Sequence, residues 1–276
     1  MKKINLLGFL AASLLFSGSL AAAAPDLADK PLASGTSGEV KPNVMFILDD
    51  SGSMGWTHLP DHVRGLRTDY GYKSAQCNGI YYNPSVTYKA PVKADGTSYP
   101  DVDFYNAPYD GFDSGSVKKN LSSQFRAYDD NTSYNGGDDS AQAAYYYSYS
   151  GAQAALAYTY DSDGDVRTTT TFYKECNSPI GDTPGKNVFT KVTVGAGERQ
   201  NFANWYSYYR VRIYSAKTAL GRAVASLSEP SKYRLGYTTH SYTGTNSAND
   251  EFQKINDFCG ASDGCTQRIY FYNKLY

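Results

Sequence analysis

The chain has 276 residues, with 26 basic and 27 acidic side chains and a net charge of −1. That length suits one large domain or two small ones, and no basic surplus points to nucleic acid or to an anionic membrane surface. Tyrosine leads the aromatics, 27 residues against 12 Phe and 2 Trp; its apolar ring and polar tip suit surfaces that touch other molecules, and equally a secreted fold poor in Leu and Ile.

Met1 to Ala24 reads as a secretory signal peptide. Lys2 and Lys3 supply the basic end, Leu6 to Phe16 the apolar stretch, and Ala21 to Ala24 the small-residue cleavage positions. The apolar stretch is short for a membrane span and the remainder offers no other candidate, so the mature protein is expected to be exported, with no membrane span. Residues 25–42, biased toward Ala, Gly, Ser and Pro, read as a linker. Val44 to Leu48 is then an unbroken apolar run, the pattern of a strand buried on both faces by helices.

Asp49, Ser51 and Ser53 follow at once and place three hard oxygen donors on alternate residues of a turn, with Gly52 giving the backbone room. The carboxyl end of such a strand is where open α/β sheets put ligand sites. Oxygen donors suit Mg²⁺, Mn²⁺ or Ca²⁺ rather than Zn²⁺ or Cu²⁺. An apolar strand followed by D-x-S-x-S-M resembles the metal-ion-dependent adhesion site of von Willebrand factor A domains. The resemblance implies a divalent cation, Mg²⁺ first, met by Asp49 through water and by Ser51 and Ser53 directly. A Thr and an Asp from two later loops complete the set, and a partner's acidic group takes the open position. A plain polar turn is the other reading of the same residues. Asp50-Ser51-Gly52-Ser53 also looks like the D-[ST]-G-[ST] signature of pepsin-type proteases, with a second copy at Asp113-Ser114-Gly115-Ser116. Two such aspartates would share one proton. No apolar strand precedes the second copy, however, and the two copies are too close in sequence for two protease lobes.

Residues 57–199 differ from their flanks: they are Tyr-rich and punctuated by turn signals at Asn78-Gly79, Asp95-Gly96, Asn135-Gly136-Gly137 and Asp163-Gly164. Val86 to Tyr88 and Val166 to Tyr173 are β-prone, and Ala141 to Tyr160 reads as a helix or a mobile loop. The segment is expected to be an irregular β and loop insertion. Asp161 to Asp165 alternates carboxylates but lacks the glycine and glutamate positions of an EF-hand, and is read as a solvated turn. Cys77, Cys176, Cys259 and Cys265 fit an oxidising compartment and allow three pairings. Cys259 and Cys265 bracket a short polar loop and are expected to pair locally, leaving Cys77 for Cys176; zinc is the alternative. His58, His62 and His240 are scattered and read as ordinary polar residues.

From Asn201 the pattern is regular again. Phe202, Tyr206, Tyr209, Ile213, Ala216, Leu220, Val224 and Leu227 step by three or four, predicting one long amphipathic helix with Asn201 as N-cap and Pro230 as stop. Tyr233 to Thr239 and Arg268 to Tyr272 read as strands.

Four ordered stretches carry a more specific resemblance: NVMFILDDSGSMGW, CNGIYYNPSVTYKAPV, ERQNFANWYSYYRVRIYSAKTALGRAV and YRLGYTTHS. Together they are similar to the N-terminal region of the PilY1/PilC family of type IV pilus-associated factors, which join an A-domain to a C-terminal β-propeller. The resemblance implies an α/β, Rossmann-type, doubly wound A-like core over residues 43–276, interrupted by the insertion. It implies a non-enzymatic role in pilus biogenesis and adhesion, with the minor pilins of the pilus tip and host or abiotic surfaces as partners. The place would be the periplasm, the outer cell surface or the pilus tip. The later metal loops and the propeller have no counterpart before Tyr276, so the core is expected to be incomplete and marginally stable alone.

Overall fold

The computed structural model describes residues 40–128, 139–242, 252–260 and 264–276. The expected signal peptide, nearly all of the linker and the Asn135-Gly136-Gly137 turn signal lie outside the described residues. In chain order the described strands and α-helices are β1 (Asn43–Leu48), β2 (Ala107–Pro108), β3 (Lys118–Lys119), β4 (Tyr145–Tyr149), α1 (Thr171–Cys176), β5 (Phe189–Thr193), α2 (Arg199–Tyr208), α3 (Arg212–Ala225), β6 (Arg234–Thr239), β7 (Gln253–Asp257) and α4 (Thr266–Leu275).

The apolar run does form a strand, and its parallel partner is β6, with Asn43 opposite Arg234 and Leu48 opposite Thr239. β7 adds antiparallel to β6, giving the order β1-β6-β7. The α/β character is as expected, but the sheet is mixed and β1 lies at its edge. Val44, Phe46 and Leu48 share one face with Leu235 and Tyr237, and α3 and α4 both cover that face. The other face carries Met45, Gly236, Ile255 and Ile47, the last 67% exposed. A Cβ on Gly236 would meet Met45 Cε at 2.8 Å and Ile255 Cγ1 at 2.9 Å, so the missing side chain lets these two close over the strand. The expected burial of β1 on both faces, and the double winding that goes with it, are therefore not seen among the described residues.

A second, larger core occupies the Tyr-rich segment. Phe202 of α2 is fully buried and ringed by Tyr82, Trp205 and Phe125 at centroid distances of 4.8, 4.9 and 5.2 Å. Offset and edge-on aromatic pairs of this kind contribute about 0.5–1.5 kcal/mol each beyond their buried area. Irregular loops need partners for their backbone groups, and α2 supplies them. Asn204 Oδ1 accepts from Val102 N–H (2.9 Å), Trp205 Nε1 donates to Ile80 O (2.9 Å) and Ser207 Oγ donates to Pro108 O (2.7 Å). Asn201 acts in the same way and is not the N-cap, a position held by Glu198. Its Oδ1 accepts from Tyr88 N–H at 2.7 Å and its Nδ2 donates to Val86 O at 2.7 Å, which holds residues 86–88 as a pinned loop instead of a strand.

The helix predicted as one piece is two. α2 ends at Tyr208, Val211 is extended (φ −111°, ψ 141°), and α3 begins at Arg212. The break lets the two halves of the apolar stripe face different cores: Phe202 and Tyr206 the aromatic one, Ile213 to Leu227 the sheet. Side chains bridge the gap. Thr218 Oγ1 donates to Tyr208 O (2.9 Å) and Ser215 Oγ to Tyr209 O (2.7 Å), which satisfies carbonyls that an unbroken helix would have paired. The Arg210 guanidinium lies over the Tyr109 and Tyr206 rings at 3.8 and 4.4 Å.

Three further expectations change. The Tyr-rich run within Ala141 to Tyr160 is strand β4, paired antiparallel with β5. Val166 to Tyr173 is not a strand: Val166 makes one isolated bridge with Tyr160, and Thr170 Oγ1 accepts from Tyr173 N–H to cap α1. Arg268 to Tyr272 lies in α4, where Gln267, Phe271, Tyr272 and Leu275 form the buried stripe of a helix, so packing overrides local β propensity. Both disulfides form as expected, Cys77–Cys176 and Cys259–Cys265. Among the described residues no helix is long and apolar enough to cross a membrane.

Candidate functional site

The carboxyl ends of β1 and β6 meet. His240 N–H donates to Leu48 O (2.8 Å), extending the parallel ladder past the strand end. Ser241 N–H then donates to Asp50 Oδ1 (2.9 Å), tying the two strand ends together. Asp49 Oδ1 accepts from Ser51 N–H (2.9 Å), an Asx turn that feeds a 3₁₀ turn over Gly52–Gly55. A Cβ on Gly52 would meet no atom within 4 Å, so packing does not demand a glycine there. The outcome is that Ser51 Oγ and Ser53 Oγ lie 3.1 Å apart at the mouth of the sheet, beside the exposed Asp49 carboxylate.

Electrostatics favour ionised carboxylates. The Ser51 N–H and hydroxyl hold the Asp49 carboxyl below the ordinary carboxylate value, with smaller help from His240. Burial pushes Asp50 up, but hydrogen bonds from Ser241 and Thr239 outweigh it and leave that carboxyl below its ordinary value as well. A depressed carboxyl contributes stability that is present above its unfolded pKa and is lost as pH falls through the folded one. Asp50→Asn is therefore expected to flatten the fall of melting temperature below about pH 4. An acid limb as steep as in the native chain would show that Asp50 takes no part in it.

Sequence alone gives Thr239, His240 and Ser241 no role at this turn. Their signal lies in topology: a strand running parallel to β1 must deliver its own carboxyl end to the same place. The turn is backed by α3. Arg212 N–H donates to Trp56 O (3.0 Å), and its guanidinium donates to His58 O and Asp61 Oδ1 (both 2.7 Å) while lying 5.0 Å over the Trp56 ring.

The donor set fits a hard cation. Two oxygens bound side by side on an octahedral Mg²⁺ at about 2.1 Å must lie about 3.0 Å apart; the Ser51 and Ser53 hydroxyls, hydrogen-bonded to each other at 3.1 Å, are close to that separation. Among the described residues no group of three or more His, Cys, Asp or Glu side chains converges, and the turn itself offers one exposed carboxylate and two hydroxyls. All four cysteines are in disulfides, which removes the zinc alternative for them. Two of the three histidines are packing residues instead of ordinary polar ones: His58 is buried and stacked on Trp56 at 4.9 Å, and His62 meets Tyr158 edge-on at 4.3 Å, whereas His240 is exposed beside the turn. Asp113 Oδ1 accepts from Gly115 N–H (2.8 Å) in the exposed turn between β2 and β3, and among the described residues no hydrogen bond joins it to Asp50. Asp161 Oδ1 likewise accepts from Asp163 and Asp165 N–H within an exposed turn.

No protein-family model matches the chain, and no solved structure matches it. It is 34% identical over 246 residues to the type IV pilus biogenesis factor PilY1 of Pseudomonas aeruginosa strain UCBPP-PA14. It is 30% identical over 256 residues to the factor of the same name from strain PAO1. These alignments take in 85% and 86% of this chain and 19% of each relative. The chain is thus a distant homologue of PilY1 and spans about a fifth of the length of these relatives.

Proposed function

We propose that this chain acts in type IV pilus biogenesis and attachment, as an exported, non-enzymatic factor with a cation-dependent docking turn. The single observation that carries the proposal is the turn at the end of β1, where Asp49, Ser51 and Ser53 converge with the two hydroxyls at cis-ligand spacing. Homology to a pilus biogenesis factor over most of the chain gives that turn its setting. Ser51 and Ser53 would bind Mg²⁺ directly, or Mn²⁺ or Ca²⁺ in its place, and Asp49 would hold it through water. When bound, the ion offers an open position to a carboxylate on a partner. Minor pilins at the pilus tip and host or abiotic surfaces are the partners in view, and the periplasm, outer surface or pilus tip the place. The strand–turn–helix–parallel-strand order supports an A-like core, with the antiparallel β7 as the edge strand that doubly wound sheets often carry.

The test is a melt of residues 25–276 with and without Mg²⁺, Mn²⁺ and Ca²⁺, beside Asp49→Ala. A site that binds only the native state should add about 2.7 kcal/mol at a hundredfold excess over Kd, and Asp49→Ala should abolish the gain. A cooperative melt that no ion shifts would overturn the metal reading. It would favour a second one, in which Asp49 serves only as the acceptor that shapes the turn, since Ser51 N–H already engages it.

A further inference from the structure

A cleft of about 750 Å³ lies beside α4, between that helix and the 91–99 hairpin of the Tyr-rich segment. Its volume is in the range of ligand sites. The hairpin is fixed by the Val92–Ser98 bridge, by Lys93 N–H donating to Thr97 O (2.8 Å), and by Gly96, whose φ of +87° a side chain would strain. Aromatic rings form the floor: Tyr276 stacks on Phe112 at 5.0 Å and meets Tyr99 edge-on at 5.3 Å. Cations stand on both walls. Lys93 Nζ lies 5.5 Å over Tyr99, and the Arg268 guanidinium 5.9 Å over Tyr272. Arg268 Nε is buried without a hydrogen-bond partner, while the Arg268 side chain also hydrogen-bonds Tyr272. Among the described side chains of the lining, the carboxylate is that of Asp95, whose Oδ1 accepts from the N–H and hydroxyl of Thr97 at 2.9 and 2.6 Å.

Two cations over an aromatic floor, with a buried donor unanswered, call for an anionic ligand that also carries apolar surface. Ile269 is 45% exposed where it lines the cleft, and its neighbour Tyr270 is 56% exposed, so the apolar surface continues outward along the helix. A ligand longer than a small molecule suits that shape. We propose that this cleft binds an acidic peptide segment, with a carboxylate between Arg268 and Lys93 and an apolar side chain on Tyr99 and Phe112. The site is separate from the turn at Ser51 and Ser53 and needs no metal.

The test uses the mature chain in EDTA, so that a cation at the turn cannot capture the probe. A fluorescein-labelled Glu-Glu-Phe-Glu-Glu peptide is titrated by anisotropy against Gln-Gln-Phe-Gln-Gln. The acidic peptide should bind at least about fivefold more tightly, and the preference should shrink as salt rises. Arg268→Gln and Lys93→Glu should each weaken it by a similar factor. Arg268 packs on Tyr272, so its variant is checked for an unchanged melt; Lys93 is exposed, and Lys93→Glu keeps the question open to refutation if Arg268→Gln fails to fold. Equal binding of the two peptides, or full binding by Lys93→Glu, would overturn the proposal. Loss of the metal response alone would leave it standing.

Discussion

The Cys77→Ala, Cys176→Ala double variant is expected to lose about 4.7 kcal/mol of stability, the chain-entropy value for a closed loop of roughly a hundred residues. The bridge spans 99 positions and both cysteines are fully buried in the aromatic core. Among its described residues the long segment between them has little regular secondary structure to limit its unfolded ensemble, so a covalent tie there acts on most of the Tyr-rich core at once. Denaturant melts of oxidised native and double-variant protein would measure the loss. A difference below about 1 kcal/mol would mean that the α2 hydrogen bonds and ring packing order the segment without the tie. The dependence also places folding in an oxidising compartment, in keeping with an exported chain.

Phe271→Ala should cost about 3–5 kcal/mol, and it should do so locally. The ring is fully buried and lies 5.8 Å from Phe46 of β1, 5.7 Å from Tyr237 of β6 and 5.7 Å from Phe258, which follows β7. One side chain on α4 therefore touches the whole width of the sheet. Hydrogen exchange should show β1, β6 and β7 losing protection while β4 and β5, in the other core, keep theirs. Equal loss across both cores would instead show that they unfold as one unit. Because β1 is an edge strand with only one covered face, this single ring carries more of the sheet than it would in a sheet packed on both sides.

Much of this was legible in the chain. Five apolar residues followed by Asp49-x-Ser51-x-Ser53 located the strand and the turn, because burial and turn chemistry are written locally. The disulfide pairing followed from spacing. The misses came from residues whose role is set by distant partners. Asn201 looks like a cap by type, but its amide serves the backbone of residues 86–88. The stripe from Phe202 to Leu227 looks continuous because both halves are apolar; nothing in a periodicity says that they face two cores. Arg268 to Tyr272 has the composition of a strand, and only the burial of Gln267, Phe271 and Leu275 on one side makes it a helix. The place of His240 and Ser241 beside the turn follows only from β6 running parallel to β1.

Trp56 and Arg212 flank the entire Tyr-rich excursion and are joined by one backbone hydrogen bond of 3.0 Å. Seen from the sheet, everything between them is a loop whose two ends coincide. Closure cost grows only slowly with loop length, and segments with adjacent ends are the ones that folds accept and exchange most readily. The strand, turn and α3 thus behave as a fixed socket, and the aromatic module as a cartridge seated in it. A change in its size or contour need not alter the spacing between Ser53 and α3.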